Sequence, residues 1–209
     1  MSSELGVQYD TLARQHATAK FGFWIFLASE SLLFAALFAL YAAYRFSYPA
    51  EFHAAAAHAN VLFGTVNTYV LLTSSLTVVL AIDATKRSHR RSALVLLAIT
   101  IALGVVFEVL KGIEYGQHLA DGIAPGGYYS FTALPAHGAV LYFTLYYLMT
   151  GLHALHVAGG VFALAWLWIL LYRGKLTSTS YLPLELGGLY WHLVDLVWIF
   201  LWPLIYLVT

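Results

Sequence analysis

Five apolar stretches leave this chain few ways to fold. Residues 21–44, 61–85, 92–115, 141–172 and 187–208, to within a residue or two, are each long enough to cross a lipid hydrocarbon layer. A layer roughly 30 Å thick takes about 20 helical residues. Within it only helices and closed barrels satisfy every backbone N–H and C=O group. Runs of this length without strict alternation read as helices. The fold expected is all-α, an integral membrane bundle of five transmembrane helices over residues 21–209, with a polar N-terminal tail over residues 1–20. That tail lacks the apolar run and small-residue cleavage site of a signal peptide. The fourth stretch is long for one crossing and should tilt or project beyond the lipid.

Composition agrees. Only 10% of the 209 residues are charged and 61% are hydrophobic, whereas a soluble domain carries about 25% charged residues. Ten basic residues balance ten acidic ones, which argues against a nucleic-acid partner. The lack of cysteine removes disulfides, thiolate metal sites and redox thiols.

Loop charges give an orientation. With the N-terminus cytoplasmic, that side holds Arg14, Lys20, Lys86, Arg87, Arg90, Arg91, Arg173 and Lys175, and the opposite side holds Arg45 and Lys111. The positive-inside rule then places the C-terminus in the periplasm. The longest connection, about 116–138, contains Pro125, Gly126 and Gly127 with Tyr128, Tyr129 and Phe131. It reads as an external loop with aromatic residues at the interface. No internal repeat of the kind that builds inverted-repeat transporters is visible.

Polar groups at membrane depth carry the functional information, because an ionised side chain there costs about 2.5–3.5 kcal/mol on insertion scales. Glu30 has no basic neighbour within a helical turn, so it is either protonated or paired across helices. It reads equally as a proton-relay or lipid-headgroup contact and as a neutral acid bonded to Ser or Thr on a neighbouring helix. Glu108, Lys111 and Glu114 follow one another at three-residue spacing, which puts Lys111 within reach of both acids; a structural ion-pair cluster is the favoured reading and a proton pathway the alternative.

His153 and His156 lie one turn apart. Axial haem ligands approach from opposite faces, so the pair alone cannot hold a haem, and it is short of ligands for zinc. Interhelical hydrogen bonding is the better account, with His192 the one deep histidine that could complete a b-type haem site. His192 and Asp195 repeat the spacing and read as a buried imidazole–carboxylate pair. Asn67, Thr68, Thr73, Ser74, Ser75 and Thr77 on the second span, and Ala154, Ala158, Gly159 and Ala163 on the fourth, read as packing surfaces.

These residues together resemble one family. The run from Tyr190 through Trp191, His192 and Asp195 to Trp198 is similar to the closing signature of subunit III of the haem–copper respiratory oxidases, cytochrome c oxidase and quinol oxidase. Gly151-Leu152-His153-Ala154-Leu155-His156 resembles its Gly-x-His-x-x-His motif, and Lys111 to Tyr115 its Lys-x-x-Glu-Tyr element. Ser29-Glu30 matches the stretch holding its buried carboxylate, and Asn67-Thr68 with Leu71, Leu72 and Ser74 its next helix.

The resemblance implies a non-catalytic accessory subunit, in a bacterial inner membrane, of an enzyme that reduces oxygen to water and pumps protons. It implies no catalytic residue, metal or cofactor in this chain. Haem and copper are expected in the partner subunits, with subunit I, subunit II and phospholipids as partners. Glu30, Glu114, His153, His156, Trp191, His192, Asp195 and Trp198 become buried polar, lipid-contact or structural residues. The family's long form has seven helices, and this chain begins at what would be the third. Alternatives are the small subunit accompanying nitric oxide reductases, a free-standing b-type membrane cytochrome, and a proton or solute carrier built around Glu30.

Overall fold

A computed structural model describes residues 11–134 and 137–207. The first ten residues of the expected tail, residues 135–136 and residues 208–209 lie outside them. Five helices are long and apolar enough to cross a membrane: α1 (Leu12–Ser47), α3 (Val61–Lys86), α4 (Arg90–Ala120), α5 (His137–Tyr172) and α6 (Leu182–Trp202). A short helix, α2 (Pro49–Ala56), lies between the first two. Among the described residues there is no strand. The chain is an all-helical, multi-pass membrane protein.

The helices outrun the apolar stretches that announce them. Thr11 caps α1 by accepting a hydrogen bond from the Arg14 N–H at 3.2 Å. The helix then runs through residues 12–20, which the sequence reading places in the tail. Ala, Arg, Gln and Lys are strong helix formers and nothing there breaks the turn. Its 36 residues, at 1.5 Å each, span about 54 Å, well beyond the hydrocarbon layer. Hydrophobicity marks where lipid ends, whereas helical hydrogen bonding stops only at a break. α6 ends at such a break, since Pro203 has no N–H to continue the ladder. A π-helical turn, Pro203–Leu207, follows it.

α3 to α6 form a ring in chain order, closed by contact between α3 and α6, and α1 rests on α5 and α6. The centre of the ring is built around Trp191. A Cβ added to Gly104 would lie 2.7 Å from its ring, and one added to Gly160 would lie 2.8 Å away. Two glycines on α4 and α5 thus make room for one indole from α6. Its Nε1–H donates to Ser74 Oγ on α3 at 2.9 Å. One residue of α6 thus touches the other three helices of the ring, which is the close approach that small residues permit in lipid.

The connection after α4 folds back on the bundle. The Gly126 N–H donates to Thr144 Oγ1 at 2.9 Å, and Tyr147 Oη donates to the Ile123 carbonyl at 2.8 Å. Gly122 has φ 80°, and a Cβ there would meet Ser130 Oγ at 2.6 Å, so the turn requires glycine. Tyr129 packs on Phe143 and Phe131 on His58, while Tyr128 is exposed.

Candidate functional site: the buried polar groups of the bundle

Glu30 on α1 meets His156 on α5. The His156 Nε2 lies 2.8 Å from Glu30 Oε2, and its Nδ1 lies 2.8 Å from the Leu152 carbonyl oxygen. A carbonyl only accepts, so Nδ1 carries a proton. The Nε2–Oε2 bond then needs one further proton, held by the acid or by the imidazole. Either way the pair shares that proton and carries no net charge, which settles how both tolerate membrane depth. Of the readings open for Glu30, the pairing across helices is the one observed, and its partner is a histidine rather than Ser or Thr.

His153 behaves differently. It is fully buried, and neither ring nitrogen has a hydrogen-bond partner among the described residues. Its surroundings are aromatic, with Trp198 at 5.0 Å and Phe107 at 5.5 Å between ring centres. Interhelical bonding therefore holds for His156 and not for His153. Trp198 in turn donates from Nε1 to Thr68 Oγ1 on α3 at 3.0 Å.

The expected His192–Asp195 pair is not formed. Both residues are on α6, but His192 Nδ1 is held 2.7 Å from Ser75 Oγ on α3. Asp195 is buried, interacts with Ser75, and has neither carboxylate oxygen in a formed hydrogen bond among the described residues. One helical turn brings side chains near each other, yet each takes the direction its neighbouring helix offers. The same hydroxyl-rich face of α3 serves the whole last helix: Thr68, Ser74 and Ser75 meet Trp198, Trp191 and His192. Thr77 instead bonds Thr100 on α4 at 2.8 Å.

Lys111 and Glu114 form a fully buried ion pair, Nζ to Oε2, at 2.9 Å. Tyr206 completes it, accepting from Lys111 Nζ at 2.6 Å and donating to Glu114 Oε1 at 2.7 Å. Tyr146 accepts a third bond from Lys111 at 3.1 Å. Two earlier expectations change here. Lys111 is 1% exposed, so it is a core residue rather than a charge on the outer side. Glu108 takes no part, and its Oε1 has no partner among the described residues. Lys111 points into the bundle, where only the acid three residues further on follows it.

Tyr206 belongs to a set the sequence reading missed. The π-helical turn also presents the Leu204 carbonyl to Tyr41 of α1 at 2.8 Å and the Ile205 carbonyl to Tyr142 of α5 at 2.7 Å. Scattered tyrosines in an apolar chain gave the only signal. Glu185 was also missed: it pairs with Lys20 of α1 at 3.3 Å and Lys86 of α3 at 3.0 Å. At the same end, Arg90 donates to the carbonyls of Leu171 and Tyr172, capping the C-terminus of α5 with a cation.

The arrangement binds helices together. Among the described residues no three His, Asp or Glu side chains gather as a metal-ligand group. Both nitrogens of His156 are engaged, and His192 Nδ1 is held by Ser75.

The cytochrome c oxidase subunit III family model matches residues 6–209. The chain belongs to that family. It is 32% identical over 189 residues to cytochrome c oxidase subunit 3 of Alkalihalophilus pseudofirmus, covering 89% of this chain and 84% of that one. It is 27% identical over 209 residues to cytochrome bo(3) ubiquinol oxidase subunit 3 of Pseudomonas aeruginosa, covering 98% and 91%. It is also 32% identical over 192 residues to a haem–copper oxidase subunit I+III of Aeropyrum pernix, covering 88% of this chain and 22% of that longer protein. Membership places the buried network in a subunit III of the haem–copper oxidases.

Proposed function

We propose that the chain is the non-catalytic third subunit of a proton-pumping terminal oxidase in a bacterial inner membrane. It packs on the catalytic subunit I, alongside subunit II, with its N-terminus cytoplasmic and its C-terminus periplasmic. In that place it holds phospholipid, keeps proton uptake by subunit I fast and prolongs the life of the active site. Haem and copper belong to the partner subunits.

The observation that carries this reading is how the membrane-depth groups are used. Glu30 with His156, Lys111 with Glu114 and Tyr206, and Ser75 with His192 all tie one helix to another. A chain that spends its acids and bases on cohesion suits a scaffold for a reaction performed next door. A relative carrying subunits I and III in one polypeptide supports subunit I as the neighbour. Relatives named for cytochrome c and for ubiquinol leave both electron donors in the class.

The test is to compare the complete complex with one stripped of this chain, following oxygen consumption to exhaustion and proton uptake in single turnovers. The stripped complex should begin at near-normal rate, then take up protons more slowly and inactivate after fewer turnovers. Identical uptake and lifetime in the two preparations would contradict the proposal.

A further inference from the structure

Glu108 is a membrane-depth acid at the flank of the bundle whose Oε1 has no hydrogen-bond partner among the described residues. Glu30 has His156, Glu114 has Lys111 and Tyr206, and Asp195 is buried beside Ser75. Glu108 is only half-buried, on the flank of α4, with its Oε1 out of contact with solvent and without a hydrogen-bond partner among the described residues. Its neighbours Val105, Val106 and Val109 are exposed and apolar. An acid set in an apolar, lipid-depth face needs a donor, and none of the described residues supplies one to Oε1.

A second feature lies on the same stripe. Glu108, Gly112 and Gly116 follow at four-residue intervals, so they stack on one side of α4. A Cβ built on either glycine meets nothing within 4 Å. Gly104 and Gly160 are explained by Trp191, but these two have no packing reason among the described residues. Glycine is disfavoured in a helix interior. In lipid, glycines four apart on an open face let another helix approach closely.

We propose that the Glu108–Gly112–Gly116 face of α4 is the seat of a membrane-spanning helix from a partner subunit, one that presents a hydrogen-bond donor to the Glu108 carboxyl. The donor is a hydroxyl, amide, imidazole or cationic side chain at the depth of Glu108, and the glycines receive the partner's backbone beside it. This rests on the accessory-subunit reading and assigns one of its docking faces.

The experiment uses the intact complex in native membranes, with photo-crosslinking benzoylphenylalanine in place of Val109. Complexes are first isolated through this chain and checked for haem, so loss of the complex tests the accessory role and not the face. In haem-containing complexes, irradiation should join this chain to one partner subunit, with the adduct on a spanning helix. Glu108→Leu should lower that cross-link about fivefold relative to Glu108→Gln, which keeps an acceptor. Adducts to lipid only, adducts to a second copy of this chain, or equal yields from Leu and Gln would each overturn the proposal.

Discussion

Glu114→Gln offers the sharpest test of the buried network. The substitution removes the anion and leaves Lys111, 1% exposed, as a cation in the bundle. Breaking a buried pair from one side costs about 3–5 kcal/mol. Lys111 keeps the hydroxyl oxygens of Tyr146 and Tyr206 and lies 4.7 to 5.4 Å from the ring centres of Tyr115, Tyr146, Trp198 and Tyr206. Those contacts put the expected loss at the low end, about 3 kcal/mol. Lys111→Met leaves Glu114 with the Tyr206 hydroxyl as donor and should cost about 2 kcal/mol. The double variant buries no charge and should fall only about 1–2 kcal/mol below the parent, because replacing a whole buried pair is far cheaper than halving it. The coupling expected from the cycle is about 3 kcal/mol. Reversible unfolding in mixed micelles, followed by helical circular dichroism, measures all four proteins. A coupling under about 0.5 kcal/mol would refute the reasoning, since the two residues would then be energetically independent.

Other substitutions probe the remaining contacts. Gly160→Val drives a side chain into Trp191 and should cost about 1–3 kcal/mol, whereas Gly112→Ala, with open space around it, should stabilise the isolated chain by up to about 1 kcal/mol; the same unfolding assay separates them. Glu30→Gln keeps a donor for His156 Nε2, so the complex should assemble at parental yield, and its loss from the membrane would show Glu30 to be indispensable for packing. Asp195→Asn should lower the yield of complex more than the turnover of what assembles, measured as oxygen consumption per haem. Truncation after Trp202 removes the acceptors of Tyr41 and Tyr142 together with Tyr206; limited proteolysis should then cut the α1–α2 connection faster than in the parent.

Hydrophobic run length made the five spans legible, because lipid imposes it directly. It could not place helix ends, where Thr11, Pro203 and the local helix formers decide. Nor did it show α2, an eight-residue helix whose Phe52 packs between Tyr41 and Tyr142. Individual polar residues were legible because lipid makes each one costly. Their partners were less so: spacing along one helix proposed His192 with Asp195 and Lys111 with both acids, whereas His192 and one of the acids found other surroundings. The Glu30–His156 bond joins residues 126 positions apart, and nothing local encodes such a distance. The motifs taken together supplied what spacing could not, and the family match over residues 6–209 agrees with the resemblance.

The central claim is that this chain supports a neighbour's chemistry and performs none itself. The most direct measurement is the optical spectrum of the chain purified alone, beside that of the complex isolated through it in mild detergent. The account predicts a colourless chain and a complex with the bands of a haem- and copper-containing large subunit. A stoichiometric Soret band in the isolated chain would contradict it, since His153, His156 or His192 would then be ligating haem.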